Sequence, residues 1–199
     1  VESDYSDNLD HTRFAVQAYA AMVLARSQQA PLGALRSLFE RRSDARSGLP
    51  LVQLSIALPK MGDQPRADQA LVAGLAVTRA ADQWLGDYGS PLRDQALILA
   101  LLEENNLMSG QREARVFALS DQLAASQWLS TQERNALFLA GRDLLGQPEQ
   151  PWTAQLVSGS QTRELNPAQA GLKLEGPLLA SPLSLRNEGS VPVYQQLTI

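Results

Sequence analysis

From Ala96 to Leu102 the chain runs Ala-Leu-Ile-Leu-Ala-Leu-Leu, with no polar side chain. Just ahead stand Ser90, a good N-cap, and Pro91, which at the first helical position lacks only an N–H that would have no partner there. On a helix starting here, Leu92, Ala96, Leu99 and Glu103 line one edge. Leu97, Ile98, Leu101 and Leu102 widen the apolar face. A face this broad needs neighbours on several sides. The stretch therefore predicts a core helix, closed by Asn105-Asn106 and Gly110, around which other helices pack.

The flanking sequence supplies them. Asp10 reads as the cap of a first helix reaching about Arg26, with Phe14, Ala18, Ala21, Met22 and Ala25 at helical spacing. Pro31 opens a second, with Leu32, Leu35, Leu38 and Phe39 inward. Pro50 lies near the start of a third, with Leu51, Leu54, Ile56 and Leu58 inward. Pro59 is expected to end or kink it, since proline removes a donor and clashes with the preceding turn. Asp63-Gln64-Pro65 starts a fourth helix, carrying Ala67, Leu71, Leu75 and Val77. A long connection, Thr78 to Gly89, leads to the core helix. A sixth helix is expected from about Gln111 to Ser126, with Val116, Leu119 and Leu123 inward. Ser130-Thr131-Gln132-Glu133 is a capping box. It opens a seventh helix with Ala136, Leu137, Ala140 and Leu144 inward, stopped at Gly146. The apolar centres of alternate helices recur every ~40 residues, the spacing of stacked helix pairs. Successive helices joined by short connections are then antiparallel neighbours.

At Gln147–Pro151 the period changes. Trp152, Ala154 and Leu156 alternate with Thr153, Gln155 and Val157, and Ser158-Gly159-Ser160 turns the chain into Thr162–Leu165. Leu172 with Leu174, then Leu183 with Leu185, alternate likewise. Asn187-Glu188-Gly189 turns into Val191–Ile199. Four or five short antiparallel strands are expected, too few for a complete sandwich. Domains are therefore drawn at 1–148, helical, and 149–199, a partial β module. The start on Val1 and the end within a strand suggest an excised fragment of a longer parent.

The 199 residues carry a net charge of −4 and no cysteine. Nothing in them forms a basic face for nucleic acid or an apolar run of the ~20 residues that span a bilayer. Disulfides, thiolate metal sites and a cysteine nucleophile are excluded within these residues. No phosphate loop, metal-ligand spacing or nucleophile elbow is present. His11, the only histidine, beside a helix start, reads as a surface residue. Glu103-Glu104 could do acid–base work, but adjacent helical residues point ~100° apart, and a solvated helix end is the better reading. Asp82, Asp87, Arg93 and Asp94 gather around Trp84 and Tyr88. Aromatics beside carboxylates could hold a sugar. They equally form a loop plug, with Asp94 in the first turn of the helix dipole, and the plug is favoured. No catalytic, cofactor-binding or metal-binding residue is assigned, and no cofactor.

Tyr88-Gly89-Ser90-Pro91-Leu92-Arg93-Asp94-Gln95-Ala96-Leu97 resembles a segment of the thioester-type helical domain of bacterial α-macroglobulins. Phe14–Ala20 with Leu24-Ala25-Arg26, Leu58–Asp63 and Ser130–Arg134 are similar to other parts of that domain. The resemblance implies an α/α-toroid-like array of antiparallel helix pairs, in part, followed by a β-rich module. It also implies a parent that traps proteases when a bait region is cut. That parent would be periplasmic, in a family often lipid-anchored to the inner membrane. The partners it implies are proteases, other domains of the same chain and a cell-wall synthase. The reactive Cys-x-Glu-Gln motif has no counterpart in these residues, so no site residue is carried over. Two alternatives stand beside this reading. One is a tetratricopeptide-like interaction scaffold, for which a regular 34-residue motif is missing. The other is an α/α-toroid carbohydrate enzyme, which would need convergent acids ~5–10 Å apart.

Overall fold

The computed structural model describes residues 8–107, 109–144, 152–165, 182–189 and 193. The chain divides into two compact units, Val1–Asp143 and Leu144–Ile199. The expected boundary at 148/149 lies outside the described residues, as do the strands expected around Leu172 and over Val191–Ile199.

In the first unit, α1 (Leu9–Arg26), α2 (Leu32–Glu40), α3 (Gly48–Lys60), α4 (Gln64–Ala76), α5 (Pro91–Glu104), α6 (Arg112–Ala125) and α7 (Thr131–Leu144) follow the expected order. Short 3₁₀ turns, Arg42–Asp44 and Ser109–Gln111, precede α3 and α6. α3 packs on α1, α2, α4 and α5, and α5 packs in turn on α6. One row is thus α1–α3–α5, and α2, α4 and α6 return between its members as the other halves of helix pairs. The hub is α3 rather than α5, which corrects the sequence expectation. Every residue from Gly48 to Leu58 is buried, whereas α5 leaves Arg93, Gln95 and Leu97 partly open. Two features give α3 this place. It carries hardly any polar side chain, and it is small where helices cross. A Cβ on Gly48 would lie 2.1 Å from the Gly74 carbonyl oxygen of α4, so the two backbones meet with glycine on both sides.

The core follows the apolar periodicity. Phe14, Ala18 and Ala25 of α1 join Leu35, Leu38 and Phe39 of α2, Leu51, Leu54 and Leu58 of α3, and Ala67 and Ala70 of α4. A second cluster links Met22, Val52 and Ile56 with Ile98, Leu101 and Leu102 of α5. Leu99 is also buried. In α6 only Leu119 is buried; Leu123, expected inward, is 40% exposed.

The helix ends show the repetition in atomic detail. α1, α3 and α5 each finish in the same cap, with one residue in the left-handed region, Gln28 (φ 57°), Gly62 (φ 87°) and Asn106 (φ 53°). In each, the next amide reaches back over the last turn: Gln29 N–H to Leu24 O, Asp63 N–H to Leu58 O, Leu107 N–H to Leu102 O. This is the Schellman arrangement, which satisfies carbonyls the helix leaves open. Pro59 lies one residue inside the end of α3, which stops at Lys60, so the break expected at the proline falls within a residue of it. Asn106 closes α5 as expected, whereas Gly110 lies in the 3₁₀ turn that precedes α6. At the other end of α1, Asn8 rather than Asp10 is the N-cap residue, and Asp10 falls in the first turn.

The second unit has a three-stranded antiparallel sheet in the order β2–β1–β3, from β1 (Ala154–Ser158), β2 (Gln161–Leu165) and β3 (Leu183–Asn187). Gly159 takes the positive φ that the β1–β2 hairpin requires. Ala154, Leu156 and Leu165 are buried, in keeping with the alternation expected for β1. Ala154 pairs with Leu165 on one side and Asn187 on the other.

Candidate functional site

Of the charged residues singled out around Trp84 and Tyr88, Asp87, Arg93 and Asp94 come together, along a strap formed by residues 77–90 between α4 and α5, while Asp82 stays exposed outside the cluster. Arg79, in the strap, is 4% exposed. Its Nη1 and Nη2 grip the two carboxylate oxygens of Asp87, and its Nε donates to Asp94 Oδ2 at 2.9 Å. Arg93, in the first turn of α5, donates to the Asp87 carbonyl oxygen at 2.8 Å and to Asp94 Oδ1 at 2.8 Å. Two guanidiniums thus cancel two carboxylates. A Cβ on Gly89 would stand 2.4 Å from Arg79 Nη2, so a larger residue there would push on the guanidinium.

His11 completes the cluster and corrects the sequence reading, for it is 1% exposed and not on the surface. Its Nδ1 accepts the Arg46 backbone N–H at 3.1 Å. A nitrogen that accepts carries no proton, so the ring proton sits on Nε2. Nε2 faces Asp87 Oδ2 at 3.5 Å, a long contact. The strap closes over this end of α1 through Asn8, which donates to the Trp84 carbonyl oxygen, and Thr12, which donates to that of Leu85. Leu85 is the strap's buried apolar residue.

Burial pushes the Asp87 carboxyl up. The contacts from His11 and Arg79 and the charges of Arg79 and Arg93 more than reverse this, holding it well below the usual carboxylate range. For Arg79, burial acts to lower the value, and the two carboxylates more than restore it. A carboxylate held this low is a poor general base and cannot serve as an acid at neutral pH. The plug reading is the one the geometry supports. Trp84 and Tyr88 stay outside it, 45% and 83% exposed. The Tyr88 backbone lies in the left-handed region at φ 53°.

The other paired acids are also engaged. Glu103 meets Arg112 at 2.9 Å and Glu104 meets Arg26 at 2.9 Å. The capping box forms as expected: Ser130 N–H donates to Glu133 Oε2 at 2.8 Å and Glu133 N–H to Ser130 Oγ at 3.2 Å. It extends further than the local pattern shows. Ser90 Oγ accepts the Arg93 N–H and donates to Glu133 Oε1 at 2.7 Å, so one carboxylate ties the first turns of α5 and α7. Burial raises the Glu133 carboxyl, and the hydrogen bonds from Ser90 and Ser130 lower it overall.

A shallow cleft of about 420 Å³ lies between α2, α3 and α4. Its walls include Ala45, Leu51, Ala73 and Val77, and Glu40 and Arg42 stand at its rim. No titratable pair converges in it. Among the described residues, no three His, Asp or Glu side chains gather as a metal-binding group, and no helix is long and apolar enough to cross a membrane.

Comparison with known proteins shows what this helical array is similar to. No family model matches the chain. A segment of the alpha-2-macroglobulin of Escherichia coli K12 is 47% identical over 200 residues, 97% of this chain and 12% of that protein. The native E. coli alpha-2-macroglobulin, solved by cryo-electron microscopy, superposes with a TM-score of 0.73 over 92% of this chain and 11% of its own, at 47% identity. The same protein activated by porcine elastase superposes with a TM-score of 0.69, again over 92% of this chain and 16% of its own. The chain spans about 12% of the length of the curated relatives it matches. Along nearly its whole length, it is therefore related to one segment of the bacterial alpha-2-macroglobulins.

Proposed function

We propose that this chain is a structural segment of a bacterial protease inhibitor of the alpha-2-macroglobulin type, which traps proteases by changing conformation after bait cleavage. The segment itself supplies packing rather than chemistry and is not an enzyme. The observation that carries the reading is the 47% identity over 97% of the chain to the E. coli protein. It is supported by the closed charge cluster, whose carboxylates are saturated by arginine and held ionised. That arrangement suits a rigid body that moves as a whole, and it speaks against a sugar-cleaving pair. The periplasmic, lipid-anchored setting and a cell-wall synthase as neighbour follow from the resemblance alone.

Two assays test the reading together. The longer parent polypeptide, treated with elastase or trypsin, should leave hydrolysis of a small peptide substrate intact while cleavage of a large protein substrate falls. The 199-residue chain alone should change neither rate and form no adduct on a denaturing gel. Unchanged cleavage of the large substrate by the parent-bound protease would refute the inhibitor. An adduct with the chain alone would place a reactive group within these residues.

A further inference from the structure

The cleft of about 420 Å³ between α2, α3 and α4 is apolar inside and charged at its edge. Leu51 belongs to the core, and Ala45, Ala73 and Val77 pack against that core while staying partly open. The cleft is shallow, so it suits a short apolar side chain. Its edge is set by Arg42. The guanidinium lies over the Phe39 ring, 4.6 Å from the centroid, and Nη1 donates to the Phe39 carbonyl oxygen at 3.3 Å. Stacking and a hydrogen bond hold the planar group in place. Its other N–H donors remain for a carboxylate, which a guanidinium fork takes in bidentate fashion. Glu40, the anion at the same edge, has Arg66 at 3.7 Å. The charge offered to an occupant is therefore positive. An apolar hollow beside a fixed guanidinium fits a small apolar group that carries a carboxylate.

We propose that this cleft binds the free C-terminus of a peptide strand ending in a small apolar residue, with the carboxylate on Arg42 and the side chain against Leu51, Ala73 and Val77. Such an end is what elastase-type cleavage leaves, because the small specificity pocket of that protease selects the residue before the cut. The E. coli relative, 47% identical, is known in a form activated by porcine elastase. In the reading proposed above, the cleft keeps hold of one cut end of the strand whose cleavage starts the rearrangement. Trypsin leaves a cationic end, which sets a charge against apolar walls. A fatty acid shares the carboxylate chemistry, but a long acyl chain needs a deeper channel than this cleft gives.

Only the source of the strand rests on the inhibitor reading. The test uses synthetic peptides and the 199-residue chain, so binding can fail while inhibition holds, and the reverse. A peptide ending in Ala-Ala-Pro-Val with a free carboxylate is titrated into isotope-labelled chain, and backbone amide shifts are followed. The same peptide with a C-terminal amide, a peptide ending in lysine, and decanoate are the other arms. With the free acid, shifts should centre on Arg42, Ala45, Ala73 and Val77. The amide and the lysine-ended peptide should bind at least ~tenfold more weakly, the amide through loss of a charge-assisted hydrogen bond. Arg42→Gln should weaken the free acid by a similar factor and leave the amide as it was. Ala73→Met, which fills the cleft and spares the arginine, should weaken both. The comparison of acid with amide needs no variant, so it stands even if either substitution disturbs the fold. Equal binding of acid and amide, shifts centred elsewhere, or no shifts at millimolar peptide would overturn the proposal. Decanoate binding the same residues more tightly than the free acid would also overturn it, in favour of an acyl-chain site.

Discussion

Asp87 is the residue the strap depends on. It takes two hydrogen bonds from Arg79 through its carboxylate and one from Arg93 through its carbonyl oxygen. Asp87→Asn keeps the shape and removes the charge, which leaves Arg79 buried beside one carboxylate instead of two. Breaking a buried pair in this way costs about 3–5 kcal/mol, to be read as a shift in denaturant midpoint at neutral pH. The carboxyl is depressed in the folded chain, so the stability it contributes is complete above the unfolded value of about 3.9 and drains away as pH falls toward the folded one. Melts between about pH 4 and about pH 2 should therefore show the unsubstituted chain losing stability faster than Asp87→Asn. Asp87, Arg93 and Asp94 were legible as a cluster because they stand close together in the sequence. Arg79 and His11 were not. Arg79 lies in a polar stretch with no periodicity, and His11 is brought in from the far end of the helical unit by the strap's path over α1.

At the scale of elements, crossings and caps can be tested separately. Gly48→Ala should destabilise by about 1–3 kcal/mol, because its methyl would overlap the Gly74 carbonyl and one helix must give way. Gly141, in α7, has nothing within 4 Å of such a methyl. Gly141→Ala should raise stability by about 0.5–1 kcal/mol through helix propensity alone. The two melts, run side by side, separate steric from intrinsic effects. Ser90→Ala should cost about 0.5–2 kcal/mol as the loss of a cap. Combined with Glu133→Gln, the cost should be less than additive, because Ser90 and Glu133 share a hydrogen bond across α5 and α7. Leu99→Ala, at a side chain 2% exposed, should cost about 2–5 kcal/mol in the same denaturation experiment.

At the scale of the whole molecule, the core clusters named above all lie between Phe14 and Leu102, and the β-sheet belongs to the other unit. A chain ended after Asp143 should keep one cooperative melt, within ~4 °C of the complete chain, since a shift that small is about 1 kcal/mol at this size. A broad, non-cooperative melt would show that the second unit holds the first together. What the amino-acid order determined by itself was local. The number and order of the helices, the capping box and the hairpin at Gly159 all rest on residues within a turn or two of one another. Period, cap and turn chemistry are therefore enough to read them. What only the tertiary structure decided was which apolar helix lies in the middle. α3 and α5 both carry broad apolar runs, and no local rule separates them. α3 is the hub because Gly48 and Gly74 let α4 approach closely while α1 and α5 flank it. The charge cluster was decided in the same way. Its carboxylates became a plug because Arg79, from the start of the strap, and His11, from a remote helix, met them in space, and the energy of that meeting depends on burial that only the packed chain provides.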